Sequence, residues 1–158
     1  MPKPTTKGRT IARNRRARFN FSLEKTFQAG VVLEGWELKS IRAGKVQLVD
    51  SYVIVRDAEA FLLGTQISPL PSTSTHSIAV PDRTRKLLLN RREIREISGA
   101  LQTKGKSCVA TSLYWRDQLV KCEIALATGK RAYDKRKTIR EREWNREKDR
   151  LRKQAFND

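Results

Sequence analysis

Three runs of cationic side chains hold most of the chemistry this sequence could do. The first is Lys3, Lys7, Arg9, Arg13, Arg15, Arg16 and Arg18, with no acid among the first 18 residues. The second is Arg83, Arg85 and Lys86, with Arg91 and Arg92 close behind. The third starts at Lys130 and continues to Lys153 with twelve basic residues, among them Lys135, Arg136, Arg140 and Arg142. A guanidinium carries a planar fork of donors that fits phosphate oxygens and stacks on bases. One such run reads equally well as a solvated face, but three in one chain point to a polyanionic partner. Tyr133 and Trp144 lie inside the third run with few apolar neighbours. That setting suits stacking on nucleotides better than packing in a core.

Catalytic chemistry has less to work with. The single histidine, His76, sits in a Ser/Thr-rich stretch, and the carboxylates of the middle of the chain mostly stand beside basic residues. No serine elbow, phosphate-binding loop or dinucleotide fingerprint is present. The expectation is a protein that is not an enzyme, with a nuclease built on scattered carboxylates as the enzymatic alternative. Cys108 and Cys122 lack metal-ligand spacing and company, and each falls in an apolar run. They read as buried free thiols, with no metal and no cofactor expected.

Composition supports the same direction. The 158 residues hold 34 Lys plus Arg against 17 Asp plus Glu, a formal net charge of +17. That excess raises encounter rates with polyanions and neutralises phosphates on contact. At 38% hydrophobic, the chain supports one modest core. No apolar run approaches the roughly 20 residues of a membrane span, and no apolar stretch follows Met1-Pro2-Lys3-Pro4 as in a signal peptide. A cytoplasmic protein with no membrane partner is expected, monomeric when free of RNA.

Elements must position these groups. Residues 1–18 read as a basic N-terminal arm, broken by Pro2, Pro4 and Gly8 and without fixed structure until it meets an anion. Residues 19–128 read as the folded domain. Phe19, Phe21 and Leu23 alternate with polar residues, as in a half-buried strand that continues to Val31-Val32-Leu33. Residues 35–44 read as a short helix stopped by Gly44. Strands over 51–56 and 60–64 form a hairpin about Asp57-Ala58-Glu59, and residues 68–84 form a loop. Asn90 and Glu93 make a capping box for a helix to about Gln102. Strands near 106–115 and 118–127 follow, joined at Arg116-Asp117. About five antiparallel strands with a few short helices suggest a mainly β fold, an oligonucleotide/oligosaccharide-binding (OB) type closed barrel. Residues 129–158 read as a basic tail. Pairs such as Glu147–Arg150 and Asp149–Lys153 have helical spacing, each worth about 0.2–0.5 kcal/mol. The apolar stripe of Trp144, Leu151 and Ala155 is too thin to hold the tail on a core, so it is expected to be disordered when free and helical against a partner.

Longer motifs add a resemblance. Asn14-Arg15-Arg16-Ala17-Arg18, Phe27-Gln28-Ala29-Gly30, the run from Gly35 to Lys45, Asp50-Ser51-Tyr52, Arg85-Lys86-Leu87-Leu88-Leu89, Gly129-Lys130, Tyr133-Asp134-Lys135-Arg136 and Ile139 to Trp144 resemble the SmpB family, in family order and over nearly the whole chain. The resemblance implies an OB-type barrel with a flexible basic tail. It implies binding to the tRNA-like domain of transfer-messenger RNA (ssrA RNA) and delivery, with elongation factor Tu, to ribosomes stalled on messages. It places the tail, helical there, at the small-subunit rRNA, the decoding centre and the empty message channel, for trans-translation, rescue and nascent-chain tagging.

By the same resemblance, Asn14, Arg15, Arg18, Gln28, Gly30, Arg42, Gly44, Lys45, Arg85, Lys86 and Leu88 face RNA, with Leu88 standing between that role and a core role. Gly129 and Lys130 set the exit of the tail, whose Tyr133, Asp134, Lys135, Arg136 and Trp144 act on the ribosome. Position 28 departs from the family pattern, with Gln where Glu is usual. An amide keeps the size and an acceptor but loses the charge. An rRNA-binding structural component of the ribosome is the alternative reading, because such proteins also combine small barrels with basic tails.

Overall fold

Strands β8 (Lys106–Arg116) and β9 (Leu119–Gly129) form the longest hairpin, turning at Asp117, whose φ of 57° is left-handed. The computed structural model describes residues 8–71, 78–130 and 132–157, with backbone alone at 132–135, 137, 138 and 154–157. Before the hairpin come β1 (Thr10–Arg13), α1 (Arg15–Asn20), β2 (Phe21–Val31), α2 (Gly35–Arg42), β3 (Val46–Gln47), β4 (Tyr52–Arg56), β5 (Glu59–Leu63), β6 (Gln66–Ile67), β7 (Arg85–Leu88) and α3 (Arg91–Leu101). After it comes α4 (Ala132–Asn157). Among the described residues the fold is mainly β with four helices.

All pairings are antiparallel. β9 pairs with β8 and β2, β2 with β7, β7 with β5, and β5 with β4. β4 meets β8 again where Tyr52 faces Val109. β1 adds to the far half of β8, and β3 pairs with β6 in a separate two-stranded sheet. The period of two sends Phe27 and Ala29 of β2, Leu113 of β8 and Cys122 and Ile124 of β9 into one core with Leu62, Leu87 and Ile97. Cys108 and Cys122 are buried free thiols, and burial pushes the Cys108 thiol up to about 12.

Local signals explain several boundaries. Glu93 N–H donates to Asn90 Oδ1 at 2.9 Å, and Asn90 N–H donates to Glu93 Oε1 at 3.2 Å, completing the capping box of α3. Gly44, at φ 75°, ends α2. Its N–H donates to the Ile41 carbonyl while Lys45 N–H donates to that of Ser40, the double closure that left-handed glycine permits. Asp57 and Ala58 turn the β4–β5 hairpin at φ 52° and 60°.

Two expectations are corrected. The basic arm does not extend to residue 18, because the fold begins by Thr10. There β1 pairs with β8, and Ala17 of α1 is buried. Phe19 and Asn20 end α1 instead of opening a strand, and β2 starts at Phe21. Residues Ala132–Asn157 of the tail form one continuous helix, α4. Its sequence has no Gly or Pro and is rich in Arg, Lys and Glu, all strong helix formers. His76 and residues 1–7, Lys3 and Lys7 among them, lie outside the described residues.

Candidate nucleic-acid interface

The outer face of the sheet holds a row drawn from four strands. Tyr114 of β8 faces Lys121 of β9, Lys121 faces Gly30 of β2, and Gly30 faces Leu88 of β7. A parallel row runs Ser112, Glu123, Gln28. Alternation forces this arrangement, since Phe27 and Ala29 point inward and their neighbours Gln28 and Gly30 point outward. Leu88 is 55% exposed, so it does not pack in the core. A Cβ on Gly30 would meet the Leu88 Cβ at 3.2 Å and Cδ1 at 3.3 Å, so glycine lets Leu88 lie across β2. Lys86, also outward, reaches Glu59 at 3.1 Å with both groups exposed, a weak pair that a phosphate would displace.

Beside the second row, α1 overhangs a cleft of about 350 Å³ rimmed by Arg13, Arg15 and Arg18 and floored by Ser112, Tyr114 and Glu123. Tyr114 O–H donates to Gln28 Oε1, and Ser112 O–H donates to Glu123 at 3.2 Å. Burial, then the Glu123 carboxylate, raise the Tyr114 phenol above its ordinary value, so it remains a donor at neutral pH. Asn14 is buried. Its Oδ1 accepts from Ala17 N–H at 3.2 Å as the cap of α1, and its Nδ2 donates to the Ala110 carbonyl at 2.9 Å. Its amide therefore holds α1 against β8 and aims the exposed Arg15 and Arg18, which makes Asn14 a positioning residue. At the far end, Lys130 N–H donates to the Asn20 carbonyl at 2.9 Å and Lys130 Nζ to that of Arg18 at 3.0 Å. Gly129 is exposed and pairs with Phe21. The exit of the tail is thus tied to the same helix.

Arg85 is a correction. It is 1% exposed and its guanidinium is fully used. Nε donates to Glu37 at 2.6 Å, Nη1 to the carbonyls of Thr65 and Arg83, and Nη2 to the Pro81 carbonyl and Glu37. The β7 alternation explains this: Arg85 and Leu87 face in, Lys86 and Leu88 face out. Glu37, which the sequence reading passed over, is fully buried and also binds Arg83 at 2.5 Å. Burial pushes its carboxyl up, but the bonds from Arg83, the Glu34 backbone and Arg85 prevail and hold it below the ordinary 4.5. Its signal was a register one, since Glu37 shares the buried face of α2 with Trp36, Ser40 and Ile41.

Arg42, Gly44 and Lys45, all exposed, lie at the C-terminal end of α2 and are not in the four-strand row. Arg42 instead lines a second cleft with Arg9 and Trp115. In α4, Arg136 is exposed, while the side chains of Tyr133, Asp134 and Lys135 lie outside the described residues. Trp144 and Leu151, 60% and 62% exposed and seven residues apart, share one side of the helix. The Arg142 guanidinium instead lies 5.8 Å from the Phe19 ring centre on α1.

The family model described as SmpB protein matches residues 11–154. This chain belongs to the SmpB family. The SsrA-binding protein of Pseudomonas syringae pv. syringae is 59% identical over 138 residues, which are 87% of this chain and 86% of that protein. The SsrA-binding protein of Chromohalobacter salexigens is 54% identical over 142 residues, 90% of each chain. Among solved structures, a chain from "tmRNA-SmpB: a journey to the center of the bacterial ribosome" aligns with a TM-score of 0.64 at 37% identity, covering 76% of this chain and 84% of that one. SmpB membership thus spans both the strands that make the outer row and most of α4.

Proposed function

We propose that this chain binds the tRNA-like domain of transfer-messenger RNA and brings it to stalled ribosomes for trans-translation. The observation that carries this reading is the outer row Tyr114, Lys121, Gly30, Leu88 beside the Arg15–Arg18 rim. It combines an exposed apolar side chain for an unstacked base, polar groups for base or ribose edges, and cations for phosphates. Gln28, Lys86 and Leu88 serve here as contacts, and Gly30, itself buried, seats Leu88 beside them. Arg42, Gly44 and Lys45 serve RNA from a separate surface. Arg85 holds the scaffold.

We read the ring of paired strands as a closed OB-type barrel, a shape compact enough to stand in for an RNA arm. From Gly129-Lys130 the basic tail enters the message channel. There Tyr133, Asp134, Lys135, Arg136 and Trp144 meet small-subunit rRNA near the decoding centre. A channel already filled by message clashes with the tail, so stalled ribosomes are selected by exclusion. Folding of the tail on the ribosome, delivery with elongation factor Tu, a cytoplasmic location, a monomeric free state and the lack of catalysis belong to the same reading. Among the described residues, no helix is long and apolar enough to cross a membrane.

The direct experiment is a gel-shift titration of the tRNA-like fragment with wild type, R15A/R18A and L88A. Weaker binding by both variants, with unchanged melting, supports this face as the interface. Wild-type affinity in both would overturn that assignment.

A further inference from the structure

The two faces of β8 carry different chemistry. Ser112 and Tyr114 line the outer cleft under α1, whereas Leu113 and Trp115 turn to the core side. Trp115 packs on the core with only part of its surface and lines a second cleft of about 640 Å³ with Gly8, Arg9, Arg42, Asp117 and Gln118. Three parts of the chain far apart in sequence meet there: the arm, the end of α2 and the β8–β9 turn.

The meeting is built. Trp115 N–H donates to the Arg9 carbonyl at 2.8 Å, which fixes the arm beside the indole. A Cβ on Gly8 would fall 2.0 Å from the Trp115 carbonyl oxygen, so only glycine lets the arm pass this close. Arg42 comes from the last turn of α2, where the helix dipole favours a cation. Among the described residues, neither Arg9 nor Arg42 has a carboxylate within ion-pair distance.

We propose that this cleft is a second RNA site, taking one unpaired nucleotide whose base stacks on Trp115 and whose phosphate sits between Arg9 and Arg42. An aromatic face flanked by guanidinium groups is the arrangement that accepts a base irrespective of its identity. Asp117 and Gln118 add selectivity at the edge: the carboxylate accepts from an exocyclic amine or a ribose hydroxyl, and the amide both donates and accepts. Because the site lies on the opposite face of β8 from the Arg15–Arg18 cleft, RNA gripped by the outer row leaves it open. The inference rests on the RNA-binding reading and extends it to a second segment of RNA.

The test uses the full chain carrying W144F, which removes the exposed tail indole and leaves Trp36, buried, and Trp115. Penta-adenylate is titrated while tryptophan emission is followed, with and without saturating tRNA-like fragment. Saturable quenching that persists with the fragment bound, and whose midpoint rises about tenfold in R42E, is expected. A labelled penta-adenylate should show a similar loss with W115L, and circular dichroism melting confirms that both variants fold. Absence of quenching, or quenching abolished by the fragment, would overturn the second site. Failure of the fragment to bind while quenching persists would instead sink the transfer-messenger RNA reading and leave the nucleotide site standing.

Discussion

Leu88 and Gly30 are register partners, and a methyl group on Gly30 would press on the Leu88 Cβ at 3.2 Å. The pair turns an ordinary strand position into a ledge: the glycine clears the floor and the leucine lies exposed on it. L88A truncates a side chain that is more than half exposed and outside the core, so stability should change by less than about 0.5 kcal/mol. Affinity for the tRNA-like fragment should fall about tenfold. G30A should weaken binding in the same direction by displacing Leu88. Titration and thermal melting of both variants check this, and a large melting shift with unchanged affinity would reverse the assignment.

Arg15 and Arg18 should act through phosphates. In R15A/R18A, the slope of log affinity against log salt should flatten by about 1–2, since each lost phosphate contact removes roughly 0.7–0.9. Titrations from low to high salt measure it.

Asn14 should behave differently from its arginine neighbours. N14A removes the α1 cap and leaves the Ala110 carbonyl without its donor, a loss of about 1–2 kcal/mol in stability. Restoring folded protein at low temperature should recover most of the affinity, whereas R15A/R18A should not recover. Urea melts paired with binding at two temperatures separate the cases.

Glu37 and Arg85 form a buried pair, and breaking it from one side should cost about 3–5 kcal/mol. Glu37 has a lowered folded pKa, so its contribution is fully present above the ordinary carboxylate value of 4.5. It is lost as pH falls through the folded value. The stability gap between wild type and E37Q should therefore be widest near neutrality and narrow below about pH 4.5. Denaturant melts at several pH values decide this, and a gap that widened with acid would contradict the pair as described.

Truncation after Lys130 should leave affinity for the tRNA-like fragment nearly intact and abolish engagement of stalled ribosomes. The tail joins the fold through Lys130 and the Arg142–Phe19 contact, and Trp144 and Leu151 remain exposed. Pelleting with ribosomes halted on a truncated message tests it.

The local signals in the sequence were strong where one residue type answers one need. The Asn90–Glu93 box, Gly44 at the end of α2 and the two hairpins stand where spacing put them. The outer row was less legible, because it joins residues 28–30, 88, 114 and 121 through strand register, which no local window contains. Arg85 was misread for a related reason. Its neighbours Arg83 and Lys86 suggest a solvated cluster, and only the β7 alternation, together with Glu37 about fifty residues earlier, turns it inward. The start of the fold at Thr10 was hidden by charge, since α1 exposes its arginines and buries only Ala17.

The most direct test of the central claim is competition for this protein between a transfer-messenger RNA tRNA-like fragment and excess ordinary tRNA, at roughly 0.2 M salt, where non-specific phosphate binding is weak. Retention of the fragment against the excess is the predicted result. Equal displacement by ordinary tRNA would contradict the account and reduce the protein to a general binder of structured RNA.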